Sequence, residues 1–252
     1  MIERTDLPLD EEGLIRIQKL LALAGVASRR RSEELMLDGL VEINGEVVTR
    51  LGTKVDPARD LIRVDGKRLP PISEKVYLAF NKPAGVTSTM SDPHAARTLE
   101  EFVADRPERL FNVGRLDVET TGLLFLTNDG DFAQRIAHPS YEIQKTYVAE
   151  VEGQLFPRHV KQLLQGVTLE DGPVDVSAAR IIKATSAKSI LELTIHDGRN
   201  RVVRRLLAEI GHPVRQLARI QIGLVKLGNQ RLGHMRDLSN DELGELLDTA
   251  EL

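Results

Sequence analysis

The stretch Gly114-Arg-Leu-Asp-Val-Glu-Thr-Thr-Gly-Leu-Leu124 puts a carboxylate, Asp117, in a glycine-bounded loop that runs straight into an apolar strand. A loop on a rigid base can project such a side chain into a cleft. The same pattern also suits a turn in which Asp117 only hydrogen-bonds local amides, and pattern alone does not separate the two. Two basic clusters stand out beside it. Arg29, Arg30 and Arg31 are consecutive, and Arg199, Arg201, Arg204, Arg205, Arg215 and Arg219 crowd a stretch whose nearby acids are Asp197 and Glu209. A solvated helix face is the bland explanation of such a run. In a chain of net charge −4, two separate clusters point instead to an anionic ligand, because phosphate contacts are local and screening is short-ranged. The six histidines lack metal-ligand spacing, and the absence of cysteine excludes thiolate catalysis, disulfides and cysteine-ligated zinc.

The elements that must position these groups fall into two parts. Residues 1–13 form an acidic leader, and because Met1 to Glu12 lacks an apolar core, neither a signal nor a transit peptide is expected. Ile17, Leu20, Leu21 and Ala24 have helical spacing, with Gly25 suited to close that helix. Ser28 caps a second helix from Arg29 to about Leu37, stopped by Gly39. Three arginines in its first turn oppose the helix dipole, so helix stability does not explain them and an external anion would. Val41 to Val47 reads as a hairpin turning on Asn44-Gly45, and Asp60 to Val64 as a further strand. Residues 14–70 thus make a small module of two helices and a β-hairpin, and residues 71–75 a linker. Within 76–252 strands are expected at Val76–Phe80, Leu123–Thr127, Tyr147–Val151 and Ile190–Ile195, a late strand in the stretch Arg219 to Gly228, and helices at 131–137, 158–165 and 200–210, with Arg236 to Glu242 opening a terminal one. Strands and helices do not alternate one for one. The fold class is therefore α+β, with a mixed, largely antiparallel sheet and flanking helices.

At this point the chain resembles a known family. Arg115 to Leu124, continued by Leu126-Thr-Asn-Asp-Gly130, is similar to the signature of bacterial rRNA pseudouridine synthases that modify single uridines. Asn81-Lys-Pro-Ala-Gly85 resembles the opening motif, Lys145-Thr-Tyr147 the lysine/tyrosine block, and Asp197-Gly-Arg-Asn-Arg-Val-Val-Arg-Arg205 the arginine-rich closing motif. Residues 14–68 resemble the S-four-type RNA-binding domain, and the resemblance runs from about 14 to 245. Two departures stand in the closing motif, Asp197 for the usual Glu and Val202 for the usual Gln.

The resemblance implies that Asp117 is the essential carboxylate, Arg204 its pairing arginine, and Tyr147 a platform for the flipped base with a possible part in proton transfer at carbon 5. It makes Lys82, Arg115, Lys145, Arg199, Arg201 and Arg205 RNA-positioning residues, alongside Arg29, Arg30 and Arg31, with Leu206 and Ile220 as walls of a uracil pocket. The reaction breaks the uridine glycosidic bond and rejoins carbon 5 to ribose, so no metal or cofactor is expected. The expected partner is ribosomal RNA, with the large-subunit 23S species the nearer match, bound by a cytoplasmic monomer. The 252-residue chain is 41% apolar and holds no run near the roughly 18–20 apolar residues that span a bilayer. Two rivals remain. A glycosidase pairing Asp117 with Glu119 needs roughly 5–9 Å between carboxylates and would release free uracil or sugar. An RNA-binding scaffold would have no need of an aspartate, a tyrosine and an arginine together.

Overall fold

The structure, a computed structural model, describes residues 7–251, so the first six residues of the expected leader lie outside the described residues. The chain divides into two compact units, Met1–Lys75 with Pro107–Arg109, and Val76–Arg106 with Leu110–Leu252. In the first, β1 (Ile15–Arg16) leads into α1 (Ile17–Leu23), which ends ahead of Gly25 at φ +75°. The Ser28 hydroxyl accepts from the Arg31 amide at 3.2 Å and opens α2 (Arg29–Leu37), whose first turn holds the three arginines and no acid. β2 (Val41–Ile43) and β3 (Glu46–Val47) turn on Asn44 and Gly45, both at positive φ as a tight hairpin requires. β4 (Lys54–Val55) pairs with β1, while β5 (Ile62–Val64) and β6 (Lys67–Arg68) complete a sheet of order β3-β2-β5-β6. The helices bury Ile17, Leu20, Leu21 and Met36 against Val41 and Ile62 of that sheet.

The second unit opens with β7 (Tyr77–Lys82), α3 (Glu100–Val103), β8 (Phe111–Val113), β9 (Thr121–Thr127) and α4 (Gly130–Ala137). It continues through β10 (Lys145–Glu152), α5 (Pro157–Leu164), β11 (Val167–Leu169), β12 (Gly172–Val174), β13 (Ala178–Ala184) and β14 (Lys188–Ile195). Last come α6 (Val202–Glu209), β15 (Val214–Ile222), β16 (Val225–Lys226), β17 (Met235–Asp237) and α7 (Asn240–Thr249). The main sheet runs β13-β14-β10-β15-β9-β7-β17, with β8 and β16 pairing beside β9 and β15. Within it only β9 and β15 pair in parallel, which makes the mixed, largely antiparallel sheet expected from the sequence. β9 reads as a continuous apolar run because both of its faces are covered. Leu124 and Leu126 enter one core with α5 and α6, while Leu123 and Phe125 enter the other with α4 and α7. Among the described residues no helix is long and apolar enough to cross a membrane.

Two local constraints hold the functional face. β9 and β15 pair only at Thr121–Ala218 and Gly122–Arg219. They approach so closely there that a Cβ on Gly122 would lie 2.1 Å from the Arg219 carbonyl oxygen, and φ at Gly122 is +107°. Beneath the loop that follows β8, Lys82 is wholly buried. Its ammonium donates to the carbonyls of Pro83 (2.9 Å) and Val86 (2.8 Å), and reaches that of Val118 at 3.4 Å.

Gly122→Ala is expected to destabilise by about 3 kcal/mol or more, since neither backbone can give way cheaply. That is a fall of roughly 6–12 °C in Tm. Gly244→Ala on α7, with nothing within 4 Å of the new Cβ, should gain up to about 1 kcal/mol instead. Calorimetry on the two variants checks both. For Lys82, burial lowers its pKa from 10.5 to about 8, against the raising influence of Asp117 and Glu119. Between those values the unfolded chain keeps a proton that the fold has shed. Stability therefore rises with pH through this window, by up to about 1.4 kcal/mol per unit from this group. Urea titrations near pH 7.5 and pH 9.5 should show a smaller rise for Lys82→Met than for wild type. The variant should also be the less stable protein at both, because three carbonyls lose their donor.

Candidate active site

The loops 114–120 and 197–201, with strands β10 and β15, enclose a cleft of about 520 Å³. Asp117 opens onto it from a loop fixed at several points. Gly114 sits at φ +67° and its carbonyl accepts from Asn112 Nδ2 at 2.7 Å. The Ser88 hydroxyl both donates to the Leu116 carbonyl and accepts from the Leu116 amide. The Gly85 amide donates to the Val118 carbonyl at 2.8 Å, and Thr120 closes the turn by donating to the Asp117 carbonyl at 3.0 Å. The Asn81 to Gly85 segment is thus the underside of the aspartate loop, with Lys82 as its internal strut.

The Asp117 carboxylate has two cationic neighbours, Arg204 Nε at 3.9 Å and Arg201 Nη1 at 4.0 Å, both measured to Oδ2. Neither distance is a hydrogen bond, so the charge is compensated while the oxygen lone pairs stay open. Arg204 is largely buried. Its Nη2 reaches Thr120 Oγ1 at 3.4 Å, and its Nε is a buried donor without a hydrogen-bond partner among the described residues. Arg201 caps α6 with left-handed backbone, φ +51°, a conformation rare outside glycine, and pairs with Glu119 at 3.1 Å.

Strands β10 and β15 supply the cleft's other wall. Tyr147 and Arg219 are opposed cross-strand partners, so their side chains share a face, and both line the cleft while almost wholly buried. Lys145 lies beside them, its ammonium donating to the carbonyls of Ile143 (3.1 Å) and His196 (3.2 Å). Burial, with the Arg219 charge added, lowers its pKa from 10.5 to about 8.

The residues picked from sequence therefore scatter. Asp117, Arg115, Lys145, Tyr147, Arg199 and Arg201 line the cleft, and Arg204 reaches Asp117 from behind. Lys82 does not meet the expectation of an RNA contact, because it has no exposed surface and its ammonium is taken by carbonyls. Arg199 is bound to Asp197 and Asp171 and donates to the Pro173 carbonyl, and Arg205 is bound to Asp171 and the Asn200 carbonyl. Together they strap the β11–β12 hairpin to the closing motif rather than presenting free cations. Leu206 is corrected as well, since it lies fully buried in the core under α6 and does not border the cleft. Ile220 is likewise absent from the lining; Val203, Leu217 and Ile222 supply the apolar wall instead. Arg29, Arg30 and Arg31 remain exposed on the first unit, with Arg31 paired to Glu34. The sequence marks Arg219 only as one of a basic run. The signal that marks it is its place two residues after Leu217, which puts a charge on the buried face of a strand.

Comparison with known proteins identifies the family. Residues 76–209 match the RNA pseudouridylate synthase family and residues 15–62 the S4 domain. The chain is 48% identical over 236 residues, 92% of either length, to an uncharacterized RNA pseudouridine synthase of Mycobacterium tuberculosis. It is 43% identical to ribosomal large subunit pseudouridine synthase B of Bacillus subtilis, over 92% of this chain and 95% of that one. A crystal structure of a pseudouridylate synthase superposes with TM-score 0.64 at 30% identity, covering 92% of this chain and 99% of the other. The chain belongs to the RNA pseudouridylate synthase family and is an RNA isomerase that carries an S4 domain ahead of its catalytic fold.

Proposed function

We propose that this enzyme converts a specific uridine of large-subunit 23S ribosomal RNA to pseudouridine, with Asp117 as its catalytic carboxylate. The observation that carries the reading is the Asp117 carboxylate, charge-matched by Arg204 and Arg201 yet accepting no hydrogen bond among the described residues, opposite a strand wall that bears Tyr147. The similarity to the Bacillus subtilis large-subunit enzyme supports the choice of RNA. The protein works as a monomer in the cytoplasm and needs no cofactor, because the reaction transfers no electrons and releases no fragment. The N1–C1′ bond breaks, the uracil turns, the C5–C1′ bond forms, a proton leaves C5, and N1 takes one up, so that atoms and charge are conserved. Attack of the carboxylate on C1′ and removal of the C2′ proton to give a glycal both need an ionised carboxylate with a free lone pair. The two arginines lie beside the Asp117 carboxylate without hydrogen-bonding it, which leaves its lone pairs open to the ribose.

A uridine must leave its stack to enter a cleft of this kind. Tyr147 stacks on the flipped uracil and its hydroxyl serves proton transfer at C5, while Arg115, exposed at the cleft, holds a flanking phosphate. The S4 domain adds affinity by phosphate and shape contacts, and its three α2 arginines belong to that surface.

With rRNA carrying tritium at C5 of uracil, wild type is expected to release tritium. Asp117→Asn should lose on the order of a thousandfold or more in rate, and retention of activity would remove the assignment. Tyr147→Phe should bind RNA within about twofold of wild type, because the ring is kept. Its tritium release should still fall by about a hundredfold. Arg115→Ala should flatten the slope of log Kd against log salt by about 0.7 to 0.9, the loss of one phosphate contact. An unchanged slope would take Arg115 off the RNA.

A further inference from the structure

Arg219 is 3% exposed, yet it lines the cleft. Its Nε donates to the Leu123 carbonyl at 2.8 Å, and its Nη2 is a buried donor with no hydrogen-bond partner among the described residues. Buried donors are seldom left in this state unless something else supplies the acceptor. Asp197 is taken by Arg199, and Asp117 lies between Arg204 and Arg201. Lys145, a half-buried cation nearby, is already spent on two carbonyls and adds to the local positive charge. The missing acceptor therefore comes with the ligand.

Its depth says which part of the ligand. The exposed Arg115 suits a backbone phosphate, whereas Arg219 is set directly across from Tyr147 on the same face. A base lying against that ring brings its polar edge within reach of the guanidinium. On cleavage of N1–C1′ the bonding pair departs with the uracil, and the negative charge spreads onto O2 and O4. The deficit at C1′ is met by Asp117, through attack or through loss of the C2′ proton. Resting on the pseudouridine reading above, we propose that Arg219 is a further catalytic residue whose guanidinium donates to a carbonyl oxygen of the flipped uracil and stabilises the charge on the departing base. A fixed donor aimed at developing charge in a dry site is among the stronger catalytic devices available.

The test compares single-turnover conversion of rRNA fragments whose target is uridine, 2-thiouridine or 4-thiouridine, by wild type, Arg219→Gln and Arg219→Lys. Sulfur accepts hydrogen bonds poorly, and taking the uridine-to-thiouridine rate ratio in each enzyme cancels its intrinsic effect on the leaving group. Arg219→Gln is expected to react about a hundredfold more slowly than wild type, with Arg219→Lys between them. Its Kd for RNA should change by less than about threefold. At one of the two carbonyls the rate ratio should be at least about tenfold larger in wild type than in Arg219→Gln, and the thio position that shows it identifies O2 or O4. If Arg219→Gln does not fold, Arg219→Lys carries the same comparison. Ratios equal within about twofold at both positions, with wild type converting uridine, would refute the role of Arg219 alone. No conversion by wild type of any RNA would refute the pseudouridine reading and this inference with it.

Discussion

The close approach of β9 and β15 at Gly122 is the constraint on which the catalytic fold turns. Two residue pairs of parallel ladder join strands that are otherwise apart, and the join works because one of the four residues has no side chain. On the β9 side it fixes the end of the Asp117 loop. On the β15 side it fixes Arg219, whose side chain returns to the Leu123 carbonyl just past the crossing. Two halves of the site are thereby set against each other by backbone rather than by flexible side chains. Geometry of this kind is what catalysis by preorganisation requires.

Charge in this cleft is arranged by subtraction. The closing motif is rich in arginine, but Asp171, Asp197 and Glu119 engage Arg199, Arg205 and Arg201, leaving few cations whose donors are not fully used. Among the described residues Arg204 and Arg219 keep buried nitrogens without hydrogen-bond partners, one behind the carboxylate and one across the cleft from it. An arginine surrounded by acceptors is a mechanical part of the fold, and one short of acceptors is poised for a ligand. Counting arginines in the sequence cannot separate these two kinds.

The same limit decides what was legible before the structure. Elements set by local chemistry read well: α2 begins at the Ser28 cap and stops before Gly39, and Asn44-Gly45 turns its hairpin where expected. β9 was legible too, since a strand covered on both faces leaves an unbroken apolar run. β13 was not, because an edge strand exposed along most of its length carries no buried alternation to mark it. Asp117 is singled out in the sequence through motif resemblance, and its loop borders the cleft. Leu206 and Ile220 misled because apolar residues in a motif look alike whether they face a core or a cleft. For Ile220 the register between β10 and β15, with its two irregularities, decides, and for Leu206 the face that α6 turns to the core.

Sequence distance adds a consequence for how the protein comes into being. The contact between Arg219 and the Leu123 carbonyl joins residues 96 positions apart, and Arg201 and Glu119 are 82 apart. Contacts of such span form late, after the loop-closure entropy of the intervening chain has been met. The aspartate loop leaves the ribosome well before the strand that completes its surroundings, and S4 sequence precedes both. A nascent chain thus acquires its S4 domain before the catalytic surroundings are complete, and chemistry is withheld until β15 has been made.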